Sequence, residues 1–103
     1  MGIFGMFSQK KETMEVQEYL KKGAVILDVR TKEEWDEAHG KNATHIVLTT
    51  VPLQLEEIRA WGKPIIAVCR SGARSSQATQ FLKNNGLDAI NGGPWQNVDQ
   101  FVD

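Results

Sequence analysis

Apolar residues occur along the chain in short blocks whose spacing switches between helical and strand periods. From Thr13 to Lys22, Val16, Tyr19 and Leu20 fall on one helical face, and Gly23 supplies a C-cap, which predicts an opening helix. Ala24 to Val29 is a short apolar run of strand type, centred on Val25, Ile26 and Leu27, with Asp28 and Arg30 at its C-terminal end. Thr31 and Glu34 stand at capping-box spacing, so a short helix carrying Trp35 should start at once. After the polar stretch from His39 to Thr44, Ile46 to Leu48 reads as a second strand. Val51, Leu55 and Ile58 return to helical spacing in a segment that ends near Gly62. The clearest strand is Pro64 to Val68, which runs directly into Cys69. Ser75 and Ser76 are suited to N-cap the next helix, whose buried stripe is Ala78, Phe81 and Leu82 and which Gly86 ends. Leu87 to Ile90 is a last brief strand before Gly92-Gly93-Pro94, and Trp95 to Val102 has room for a final helical turn or two. Strands alternating with helices predict an α/β domain with a mainly parallel sheet.

Length and charge narrow the function classes. The chain has 103 residues, enough for one domain spanning 1–103, with residues 1–11 read as an N-terminal extension free to be mobile. It is 41% hydrophobic and 24% charged, an ordinary balance for a soluble globular protein, and a monomer is expected. A net charge of -1 gives no bulk field to recruit nucleic acid, so any anion must be held by a local arrangement. No apolar run is long enough to span a membrane. The start of the chain, Met1 to Ser8, lacks the basic region and cleavage site of a signal peptide. It resembles a myristoylation start only until Met6, which stands where Ser or Thr is needed. Ile3, Phe4, Met6 and Phe7 are expected to dock on the domain's own core or fray in solvent, with weak membrane or partner contact as the alternative. The single cysteine, Cys69, allows neither an internal disulfide nor a Cys-rich metal site. It suits a reducing compartment, and a cytoplasmic location with no metal and no cofactor is expected.

The chemistry concentrates in Cys69-Arg70-Ser71-Gly72-Ala73-Arg74-Ser75. Cys69 stands just past a buried strand and a helix begins a few residues later, which is where open α/β sheets bind ligands. A loop there can turn its N–H groups inward as an anion nest, and the helix N-terminus adds free N–H groups and a positive dipole end. Gly72 permits the tight curl, while Arg70 and Arg74 add permanent charge. Such surroundings lower a thiol pKa and make Cys69 a candidate nucleophile. A buried core cysteine is the commoner fate of a free thiol, but it needs no flanking arginines, glycine and serines.

At this point the chain resembles the rhodanese family over nearly its whole length. Leu27-Asp28-Val29-Arg30 followed by Glu33-Glu34-Trp35 is similar to that family's first signature, and Pro64 through Ser75 to its active-site signature. Asn91-Gly92-Gly93 followed by Trp95 is similar to the glycine pair and tryptophan that close the domain. The resemblance implies a sheet of about five parallel strands flanked by helices on both faces, and a persulfide on Cys69. Ala38-His39-Gly40 stands where the family commonly has Gly-His-Ile, and His45-Ile46-Val47 where it has Asn-Ile-Pro; Trp95 follows the glycine pair sooner than usual. These departures fall in the connector and closing loop, so they bear on pocket shape and acceptor. His39 is structural by the resemblance, and neither His39 nor His45 is expected to take a chemical role. Asp28 and Arg30 are expected to support the loop as a structural polar pair. Trp35, Trp61 and Trp95 read as core or rim aromatics, since no basic stripe accompanies them.

The expected function is therefore sulfur transfer from a small anionic donor such as thiosulfate to a thiol, a protein or, in an assay, cyanide. Cys69 would be catalytic, with Arg70, Ser71, Gly72, Ala73, Arg74 and Ser75 holding the donor and stabilising the persulfide. A persulfide carrier without turnover of small molecules is the alternative that shares the first half-reaction. A phosphatase or arsenate reductase on the same scaffold fits less well. Those enzymes space cysteine and arginine by five residues, whereas four separate Cys69 from Arg74 here.

Overall fold

A computed structural model describes residues 9–103. The expectations for Ile3, Phe4, Met6 and Phe7, and for the mobility of residues 1–8, lie outside the described residues. Helix α1 (Gln9–Lys21) begins a turn earlier than its apolar periodicity indicates, because Gln9 to Glu12 carry no apolar residue. It therefore takes in the last residues of the expected 1–11 extension. Strand β1 (Val25–Asp28) follows, then α2 (Lys32–Glu37), β2 (Ala43–His45), a 3-10 segment (Leu48–Gln54) and α3 (Leu55–Ala60). Strand β3 (Ile65–Cys69), α4 (Ala73–Asn84), β4 (Ala89–Pro94) and α5 (Trp95–Asp99) complete the order.

The strands form one parallel sheet in the order β2-β1-β3-β4. Among the described residues the sheet has four strands where about five were expected, the described chain ahead of β1 being helical. Helices cover both faces. On one side Leu27, Val29, Ile65, Ala67, Cys69 and Ala89 pack with Val51, Ile58, Ala78 and Leu82 from the 3-10 segment, α3 and α4. On the other, Ile26, Ile66 and Val68 meet Val16 of α1 and Val98 of α5. Every residue of β3 is consequently buried, which is why its sequence is an unbroken apolar run.

Four local expectations change. The second strand is Ala43–His45 and not Ile46 to Leu48. Pairing with β1 sets it, through Ile26↔Ala43 and Asp28↔His45, and the chain then turns into the 3-10 segment at Leu48. Because β2 is a half-buried edge strand, it has no apolar run to announce it. The stripe Val51, Leu55, Ile58 is shared between the 3-10 segment and α3, which divides at Gln54. Helix α4 is N-capped by Gly72, and Ser75 and Ser76 lie inside its first turn. Finally, β4 runs past Ile90 to Pro94, with an irregularity in which Ala67 pairs Asn91 while Val68 pairs Gly93. Gly92 is left over by that bulge, and a Cβ there would come within 2.7 Å of both Ile66 and Val98.

Candidate active site

Cys69 is the last residue of β3, and the chain after it curls back so that backbone and hydroxyl donors converge on its sulfur. The Gly72 N–H lies 3.0 Å from Sγ, the Ser75 N–H 3.4 Å and the Ser75 hydroxyl 3.3 Å. The curl requires Gly72, whose φ of 103° is in the left-handed region and whose absent Cβ would sit 3.5 Å from the Gly93 backbone. Cys69 is fully buried and packs in the core under α4, so it is a core cysteine and a hydrogen-bonded one together. Burial pushes the thiol pKa up. Hydrogen bonds from the Ser75 hydroxyl and from the Ser75, Gly72 and Ser71 N–H groups outweigh it, and the net direction is down.

The two loop arginines have different surroundings. Arg70 is exposed, as is Ser71, and no ion pair holds its side chain among the described residues. Arg74 is half-buried and forms a bidentate pair with Glu34, at 2.7 and 3.0 Å. The Glu34 carboxylate is itself fixed by the Thr31 N–H at 3.0 Å, within the capping box expected from the sequence. The Arg74 hydrogen bond first, and the Thr31 N–H second, hold the Glu34 pKa down at about 2. Helix α2 is thereby clamped to the start of α4.

Asp28 and Arg30 are buried at the end of β1 and paired, with Arg30 Nη2 2.8 Å from Asp28 Oδ2. Arg30 also donates to the Ala38 carbonyl at 2.8 Å and lies over the Trp95 ring at 5.3 Å. The pair thus ties β1 to the end of α2 and to α5, and it touches Cys69 through neither hydrogen bond nor ion pair. His39 and His45 both stack on Trp35, at ring-centroid distances of 3.6 and 4.8 Å. Each binds a backbone carbonyl, His39 that of Trp35 and His45 that of Arg30.

Asn91, named in the sequence only within the closing Asn91-Gly92-Gly93 motif, also belongs to the site. Its Oδ1 lies 2.7 Å from the Ser75 hydroxyl and 2.9 Å from the Gly93 N–H, and its Nδ2 donates to the Gly72 carbonyl at 3.1 Å. Strand parity was the available signal. Ala89 and Asn91 share the face that Cys69 shares with α4, and a polar side chain at that inward position needs partners.

A family model for the rhodanese-like domain matches residues 12–93. The chain belongs to the rhodanese-like domain family. It is 30% identical over 69 residues to the thiosulfate sulfurtransferase GlpE of Vibrio cholerae, a match covering 67% of this chain and 64% of that protein. The chain therefore spans a little under two thirds of that relative's length. It is 32% identical over 81 residues to a putative sulfurtransferase, YtwF, of Bacillus subtilis, covering 79% of this chain and 74% of the relative. Among solved structures, a rhodanese-like domain protein from Staphylococcus aureus superposes with a TM-score of 0.65 at 30% identity, covering 84% of this chain and 86% of that one. In this rhodanese-like domain the expected site residues Cys69, Gly72 and Ser75 come together around one sulfur atom. Arg70, Ser71 and Ala73 form the exposed outer side of the same loop, and Arg74 faces Glu34.

Proposed function

We propose that this rhodanese-like domain is a sulfurtransferase that carries sulfane sulfur as a persulfide on Cys69, with thiosulfate as a competent donor. The observation that carries the reading is the convergence of the Gly72 N–H, Ser75 N–H and Ser75 hydroxyl on Sγ itself. Donors aimed at one sulfur atom stabilise a thiolate, and after transfer they stabilise the persulfide that replaces it. The Cys69 thiolate attacks the outer sulfur of thiosulfate. A new S–S bond forms, the S–S bond of thiosulfate breaks, and its electron pair leaves with sulfite. The Cys69 persulfide anion then gives its outer sulfur to a thiophilic acceptor, which is cyanide in an assay and a thiol or protein in a cell, and the thiolate returns. No net oxidation occurs.

In this reading Arg70 meets the sulfonate end, which is supported by the pairing of the Arg74 guanidinium with Glu34. Cys69 is fully buried, and Arg70 and Ser71 are the exposed residues next to it in the loop. The four residues between Cys69 and Arg74, with donors converging on one sulfur atom, support transfer of a single sulfur over enclosure of a tetrahedral phosphoryl group. Thiocyanate formation from thiosulfate and cyanide, run beside aryl phosphate hydrolysis and arsenate reduction, tests the assignment. Sulfur transfer should dominate, and hydrolysis of aryl phosphates faster than transfer from any donor would overturn it. Persulfide formation that is stoichiometric but never turns over with small acceptors would identify a relay acting on a protein partner.

A further inference from the structure

We propose, building on the sulfur-transfer reading above, that Asn91 is a positioning residue for Cys69, its side-chain amide joining Ser75 and Gly72 of the loop to Gly93 of β4. The placement follows from the sheet. In β4, Ala89 packs into the core beneath α4, and parity returns Asn91 to that face. Directly above it stands the first turn of α4, where Ser75 is fully buried. The bulge at Gly92 lets Gly93 follow closely enough for its N–H to reach Asn91 Oδ1.

The three partners fix which way the amide faces. Gly93 offers a donor and must meet Oδ1, while the Gly72 carbonyl offers an acceptor and must meet Nδ2. Rotating the amide would oppose donor to donor and acceptor to acceptor. Oδ1 therefore accepts the Ser75 hydroxyl proton at 2.7 Å and fixes that side chain in place. Fixing Ser75 also holds its backbone N–H 3.4 Å from Sγ, where it favours the anionic form. The same amide holds Gly72, whose N–H is the shortest contact to sulfur. A single side chain thus keeps both donor residues in register with Cys69 and does so without touching the sulfur.

The test reads ionisation of Cys69 and needs no sulfur donor, so its failure is separate from failure of the persulfide reading. Because the chain has one cysteine, the pH dependence of iodoacetamide alkylation reports Cys69 alone. Asn91→Leu keeps the shape and removes the hydrogen bonds, and the midpoint should rise by about 0.5–1 pH unit. Asn91→Asp keeps the size but offers the Gly72 carbonyl no donor and sets a negative charge near the thiolate, so its midpoint should rise at least as far. In a Ser75→Ala background, the further rise on Asn91→Leu should be smaller than in the wild type. A midpoint that falls would mean that Asn91 only competes with sulfur for the Ser75 proton, and would overturn the proposal. So would an unchanged midpoint beside a lowered Tm, or shifts that add fully in the double variant.

Discussion

The outer and inner halves of the loop after Cys69 contrast sharply in how they are held. Arg70 and Ser71 are exposed, and the Arg70 guanidinium has no carboxylate partner among the described residues. From Gly72 to Ser75 the chain is bound on every side: to sulfur, to Asn91 and, through Arg74, to Glu34. Two arginines that look equivalent in the sequence are therefore held differently. Arg74 is paired with Glu34, and Arg70, exposed, is the one that the proposed function assigns to the incoming anion.

The largest effect expected from breaking this division is at Arg74. Arg74→Ala leaves Glu34 unpaired and frees α2 from α4, so stability should fall by about 1–2 kcal/mol after discounting for the partial exposure of the pair. Sulfur transfer should drop roughly ten- to a hundredfold, and it should drop alike for thiosulfate and for a neutral sulfane donor. Selective loss with thiosulfate would return Arg74 to direct donor binding. Arg70→Ala should behave in the opposite way. Its thermal melt should match the wild type, thiosulfate use should weaken by about tenfold, and a neutral donor should be affected by less than about twofold. Equal losses for the two donors would mean that Arg70 organises the loop.

The smallest effect is on acid stability. Glu34 has a folded pKa of about 2, below its ordinary 4.5, so its contribution is present above the ordinary value. It is lost as pH falls from that value through the folded one. The wild type should lose a stability increment between pH 4.5 and about 2 that Glu34→Gln lacks. Parallel acid denaturation curves for the two proteins would remove the clamp from the account.

How much of this could be read along the chain depends on the range of each interaction. The strand into Cys69, the Thr31–Glu34 capping box and the glycine that lets the loop curl are local, and their residue types carry the physics by themselves. The edge strand β2 was displaced because its placement comes from pairing with β1 and not from its own Ala-Thr-His composition. Ser75 looked like a cap, since serine before a helical stripe usually is one; in the fold the glycine takes the cap and the serine serves the sulfur. The Glu34–Arg74 clamp and the Asn91 bridge join residues 40 and 16 positions apart, and no spacing rule reaches across those distances. The different surroundings of the two arginines were therefore legible only in the structure.

The central claim is that Cys69 itself carries the sulfur in this cradle. Intact-mass measurement after brief exposure to thiosulfate tests it most directly, with Cys69→Ser, close in size to the native residue, as the control. The wild type should gain a single sulfur atom, released by a thiol reductant or by cyanide, and the folded serine variant should gain none. A wild type that remains unmodified with thiosulfate and other sulfane donors, or a serine variant that still acquires the labile sulfur, would contradict the account.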